Sequence, residues 1–169
     1  MATSNRDSLK KEIELSNKSK YTIEYIIHSP GLERFRVEDK DDGIIFEFDK
    51  SLYPSCCGIN ILHNFYANPF KTISPELVKA TLSAFASKWR NKTQFVAIKY
   101  AEMIYEYEYD EDDEVVGETF VRRDVRDVFN HHSFIESLIS CTNAKLISEF
   151  INTNSNNTCF VYEFDGSSL

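Results

Sequence analysis

The sequence predicts an α+β fold, a mostly antiparallel twisted sheet of about seven or eight strands with two main helices packed on it, in a single domain. Three observations carry this expectation. Period-two alternation recurs along most of the chain, only two segments place apolar residues at helical spacing, and turn residues separate these stretches at short intervals. A chain of 169 residues, 42% apolar and 27% charged, suits one core, and no linker or internal repeat divides it.

Residues 1–20 read as a flexible tail with at most a short helix through Leu9, Ile13 and Leu15, and the α+β domain as residues 21–169. Residues 21–28 place Tyr21, Ile23, Tyr25 and Ile27 on one face of a strand. Phe35 and Val37 alternate with Arg34, Arg36 and Glu38, and residues 44–49 alternate again after Asp42-Gly43, which predicts a hairpin. Residues 59–65 read as a fourth strand. Ser74, Pro75 and Glu76 then spell a helix start: an N-cap, a proline whose missing N–H is harmless in the first turn, and an acid at the positive end of the dipole. Leu77, Val78, Thr81, Leu82, Phe85 and Trp89 form its apolar stripe, while Lys88, Arg90 and Lys92 crowd its C-terminal end. Residues 94–100 and 103–110 are strand-like, or one long bent strand, with 115–121 pairing back across an acidic turn. Ser133 and Glu136 read as a capping box for a helix carrying Phe134, Ile135, Leu138 and Ile139. Residues 145–151 and 158–164 flank an Asn/Ser-rich turn and predict a terminal hairpin.

Charge is unevenly placed. The formal net charge of -8 comes from 19 Lys and Arg against 27 Asp and Glu, and nine of those acids lie between Glu102 and Glu118 with no Lys or Arg among them. The rest of the chain is nearly neutral. Tyr105, Tyr107 and Tyr109 alternate with Glu106, Glu108 and Asp110, so a strand here sets its carboxylates in a row about 6.7 Å apart, at roughly 3.3 Å of rise per residue. Asp112, Asp113 and Glu114 extend the charge through the turn. Two readings stand: an inward tyrosine face behind a solvated acidic edge, or a surface that imitates a phosphate backbone and grips a basic partner.

Other chemistry is sparse. Five dispersed glycines exclude phosphate-binding glycine loops, no apolar run approaches the length of a membrane span, and no secretory signal opens the chain, so the expected location is cytoplasmic. Cys56, Cys57, Cys141 and Cys159 are expected to be thiols. Adjacent cysteines seldom chelate zinc together, and Asp110, Asp112 and Glu114 lack the glycine and the twelfth-position acid of a calcium loop, having Val115 and Val121 there. No metal and no cofactor is therefore expected. An alternative cysteine-dependent enzyme would use Cys57 as nucleophile and His63 or His132 as base. His63, though, falls in register with Ile59, Ile61 and Phe65, the pattern of a core histidine. His131-His132 reads as a loop pair. Direct nucleic-acid binding through Arg122, Arg123 and Arg126 is disfavoured by the acids beside them.

Abundant Asn, Lys, Ile, Phe and Tyr with scarce Ala and Gly suit an AT-rich genome, such as a low-GC bacterium or a large phage. The leading expectation is a small acidic binding module, an inhibitor or adaptor that mimics DNA and occupies a basic protein surface, with a homodimer also expected from the exposed strand edge. The order of strand, Ser74 helix, strand, Ser133 helix and hairpin also resembles the C-terminal half of acyl-CoA N-acyltransferases of the GNAT type, over roughly residues 59–164. The resemblance implies a transferase fold in which a Q/R-x-x-G-x-G/A loop before the first of these helices binds the CoA pyrophosphate through backbone N–H groups. The corresponding residues 66–74 hold neither glycine nor arginine.

Overall fold

The computed structural model describes residues 8–29, 31–51, 60–99, 101–124, 131–154 and 156–169, with backbone alone at 29, 64, 101–105, 120–124 and 131–132. The fold is α+β. Its strands are β1 (Ser8–Glu14), β2 (Lys20–Ser29), β3 (Leu32–Asp39), β4 (Gly43–Ser51), β5 (Asn60–Ala67), β6 (Thr93–Lys99), β7 (Ala101–Tyr109), β8 (Val115–Asp124), β9 (Lys145–Ile151) and β10 (Thr158–Phe164). Two helices, α1 (Pro75–Ala84) and α2 (His131–Thr142), interrupt them. Eight strands form one sheet in the order β1-β2-β3-β4-β5-β6-β10-β9, and β7-β8 form a separate two-stranded ribbon.

Every pairing in the large sheet is antiparallel except β5 with β6, which α1 connects as a crossover. Alternation decides which face is buried. Tyr25, Phe35, Phe46, Phe48, Leu62 and Phe95 point to one side, and both helices lie there. Leu77, Val78, Thr81 and Leu82 of α1 face the sheet, and the chain then breaks into a 3-10 turn (Ala86–Lys88) that delivers Trp89 to the core. The predicted stripe is right in its residues, but Phe85 caps the helix and Trp89 lies beyond it. Phe35 is the hub. Its ring lies 5.0 Å from Trp89, 5.2 Å from Phe48 and 5.3 Å from Tyr25, stacked on the first two and edge-on to the third. From α2, Phe134 reaches Phe46, Phe48 and Phe65 at 5.0–5.7 Å.

One ion pair enters this apolar side. Lys50 is 4% exposed, meets Glu33 Oε2 at 2.6 Å, donates to the Lys88 carbonyl at 2.5 Å and lies over the Trp89 ring. Burial pulls its pKa below the usual lysine range against the opposing pull of Glu33. The lysine thereby ties β4 to the turn after α1, satisfying a carbonyl that the helix end leaves open.

Four sequence expectations need correction. The supposed tail contains β1, which pairs with β2 from Ser8 opposite Ile26 to Glu14 opposite Lys20. Leu9 and Ile13 are four apart, an even spacing that suits a strand face as well as a helix turn, and Leu15 is buried. What selects the strand is long-range: the free edge of β2 and the Lys11 ammonium, which donates to the Ala84 carbonyl and covers the Phe85 ring. Next, residues 94–110 are not one bent strand, because β6 and β7 belong to different sheets. Third, α2 starts at His131, which puts Ser133 inside the first turn rather than ahead of it, and Ser137 anchors the helix by donating to the Ile73 carbonyl at 2.8 Å. Last, His63 is not a core histidine. A register shift between β4 and β5 leaves one extra residue on β5, so Leu62 and then Phe65 face the helices, and His63 stands with Ile61 on the opposite face.

Among the described residues no helix is long and apolar enough to cross a membrane. The aromatic hub makes a direct prediction: Phe35→Ala destabilises the fold by about 3–5 kcal/mol in urea titration, as truncation of a fully buried aromatic does, and a loss below about 1 kcal/mol contradicts this packing.

Candidate functional site

The single parallel junction is short. Asn60 pairs with Thr93, Ile61 with Gln94 and Leu62 with Phe95, and there the contact ends. Beyond it β5 continues along β4 as far as Ala67 opposite Phe46, while β6 stays with β10 through Lys99 opposite Thr158. The two strands therefore part like a fork beyond Leu62 and Phe95, β5 keeping to β4 and β6 to β10. In an open sheet, the carboxyl ends of parallel strands at such a switch of direction are where ligands bind. The strand and helix order that resembles an N-acyltransferase is present in full: β5, α1, β6, α2, β9 and β10, with the β7-β8 ribbon inserted before α2.

The start of α1 is the place where an acyl-CoA pyrophosphate would sit in that resemblance, and its residues do not fit one. Pro75 has no N–H to offer. Ser74 Oγ already accepts from the Leu77 amide at 3.2 Å, and the Ser74 carbonyl holds the Val78 amide. Glu76 then brings a carboxylate to the same turn, where it accepts from the Ser16 amide and the Ser16 hydroxyl, each at 2.8 Å. Those two bonds hold the Glu76 pKa below the usual carboxylate range. An incoming phosphate thus meets a carboxylate, one spent amide and one absent amide, with no glycine or arginine in residues 66–74. Sequence reading found the Ser74 cap and the Glu76 charge. It missed Ser16, sixty residues away, because the β1-β2 turn was read as tail.

The acidic hairpin forms as expected, with β7 and β8 in register from Ala101 opposite Asp124 to Tyr109 opposite Val115. All residues from Glu106 to Val116 are exposed. Tyr107 is 48% and Tyr109 60% exposed, so neither of these two packs inward and both faces of the ribbon's tip meet solvent. Tyr105 is described by backbone alone. Glu106 and Glu108 share a face, with the Glu108 carboxylate lying over Gly117 where a Cβ would come within 3.1 Å of it. Asp110 has a different task. Its Oδ1 accepts from the amides of Asp112 and Glu114 at 2.9 and 3.0 Å, and its own amide donates to the Glu114 carbonyl at 2.9 Å. Asp113 takes the left-handed conformation the turn needs, with φ of 59°. So Glu106, Glu108, Asp112 and Glu114 are free to present charge, whereas Asp110 builds the bend.

On the sheet face away from the helices, His63, Asp49 and Arg34 lie in one cross-strand row. Asp49 is 2% exposed and takes Arg34 Nε at 2.8 Å and an Nη at 3.4 Å. Arg36 and Glu47 repeat the pairing one rung along, at 2.9 Å. A carboxylate held by a guanidinium is a poor partner for orienting a histidine base. Cys57, the proposed nucleophile, lies outside the described residues, as do Cys56 and Arg126. Cys141 offers no substitute, since burial pushes its thiol up to about 11. Among the described residues no three His, Cys, Asp or Glu side chains converge to hold a metal.

No family model matches this chain, and no curated protein matches it. Among solved structures it is similar to a spermidine N-acetyltransferase chimera from Vibrio cholerae and hSSAT, at 11% identity and a TM-score of 0.48, over 83% of this chain and 71% of that one.

The Glu76 clasp sets a pH dependence. A carboxylate whose folded pKa is lowered stabilises the fold above its unfolded value and loses that contribution as pH falls through the folded one. Glu76→Gln is therefore expected to flatten the acid limb of stability against pH while changing little below it, read from urea midpoints at a series of pH values. An unchanged acid limb contradicts the clasp.

Proposed function

We propose that this chain is a binding protein built on an acyltransferase-type sheet, with the acyl-CoA phosphate site closed by its own residues. One observation carries the reading: Pro75, the Ser74 cap and the Glu76–Ser16 clasp occupy the helix start beside the β5-β6 fork. A transferase that depends on acyl-CoA needs free amides and no opposing charge there, and here Pro75 has no amide, the Leu77 amide is taken by Ser74 Oγ, and the Glu76 carboxylate sits in the same turn. Such a fold keeps its stability and gives up that cofactor.

The partner we propose is a basic protein surface, held by the acidic ribbon. Exposed Tyr107 and Tyr109 supply contact area, and Glu106, Glu108, Asp112 and Glu114 supply steering charge. An inhibitory or adaptor role and mimicry of DNA belong to this proposal and rest on the same ribbon, and a cytoplasmic location is proposed alongside them.

The test has two arms on one preparation. Acetyl-CoA is expected to leave the thermal midpoint unchanged at millimolar concentration, whereas saturation at 100 times a dissociation constant would add about 2.7 kcal/mol and a shift of several degrees. Capture from the source cell's lysate at low and physiological salt is then compared with the E106K, E108K, D112K, E114K variant, which spares Asp110 and so the turn. A partner held by the wild type alone supports the reading. An acetyl-CoA shift overturns the closed site, and equal capture by both chains overturns the role of the ribbon.

A further inference from the structure

Two side chains at the closed end of the fork are wholly buried and unpartnered. Asn60 opens β5, Thr93 opens β6, both are 0% exposed, and they stand opposite each other at the first parallel pair. Asn60 Oδ1, Asn60 Nδ2 and Thr93 Oγ1 all lack a hydrogen-bond partner within the protein. The neighbouring backbone is already committed, with the Asn60 amide donating to the Lys92 carbonyl at 3.1 Å. From the other side the chain's last turn presses in. A Cβ on Gly166 would fall 2.5 Å from the Arg90 carbonyl and 3.1 Å from Thr93 Oγ1, so only glycine lets the backbone come this near.

Buried polar groups are rarely left unpaired, and three on one pair of facing residues call for a partner. Its chemistry follows from theirs. A carboxamide and a hydroxyl are neutral and each both donates and accepts, so the occupant is neutral and must do the same. Complete burial restricts it to the smallest such molecule. We infer that Asn60 and Thr93 hold a buried, ordered water that bridges β5 and β6. Internal waters of this kind make two to four hydrogen bonds to polar groups the fold cannot otherwise satisfy. Here the bridge adds a side-chain link to a junction of only three residue pairs, at the base from which the fork opens.

The test is solution NMR on the full chain, reading magnetisation transfer between the Asn60 side-chain amide and water of long residence, beside urea midpoints for Thr93→Ser and Thr93→Val. The wild type and T93S are expected to show the transfer. T93V, the same shape without the hydroxyl, is expected to weaken it at least several-fold and to lower the midpoint. Absence of transfer in the folded wild type overturns the site, and full transfer in T93V overturns the bridge. The wild-type measurement decides the first point even if a variant fails to fold.

Discussion

The structure depends on a parallel seam three residue pairs long. On one side of it, β1 to β5 form an uninterrupted antiparallel meander. On the other, β6, β10 and β9 form a second antiparallel unit drawn from the far end of the sequence. Only Asn60, Ile61 and Leu62 against Thr93, Gln94 and Phe95 join the two into one sheet. Such a join is weak in hydrogen bonds, so it relies on what lies across it. Phe95 and Leu62 bury their side chains at the seam, Trp89 connects Phe35 on one side with Phe164 on the other, and both helices cover the same face.

The same seam explains where function can reside. Because β5 follows β4 and β6 follows β10, the strands diverge, and the sheet opens toward their carboxyl ends. A helix that begins at such an opening ordinarily offers amides to an anion. Here the local sequence answers its own dipole with Glu76 and spends its cap on Ser74, and the β1-β2 turn reinforces this through Ser16. The charge that would have been attracted from outside is supplied from within. The ribbon that follows β6 carries Arg122 and Arg123 of β8 at its base and is acidic toward its tip, which is open to solvent on both faces.

Much of this was legible in the sequence, and the misses have physical causes. Local rules identified β2 to β5, the Ser74 helix, the acidic hairpin and the terminal hairpin, because alternation, caps and turn residues act over a few positions. They failed where a distant element decides: β1 exists because β2 has a free edge, and α2 begins where Phe134, Ile135 and Leu138 find the core rather than where a capping pattern appears. A single extra residue on β5 moved His63 to the other face, which no periodicity announces in advance. The ribbon's acids were read correctly as one surface, but the separate task of Asp110 depends on turn geometry. Asn60 and Thr93 drew no notice, since a polar residue at the start of a strand is ordinary until its partner strand is known.

The fork is the claim on which the rest turns, and interstrand nuclear Overhauser effects between β5 and β6 test it most directly. The account predicts backbone contacts at Asn60–Thr93, Ile61–Gln94 and Leu62–Phe95, and none linking residues 64–67 to residues 97–99. Contacts continuing to the ends of both strands would mean a closed sheet, and would remove the opening on which the reading of this molecule rests.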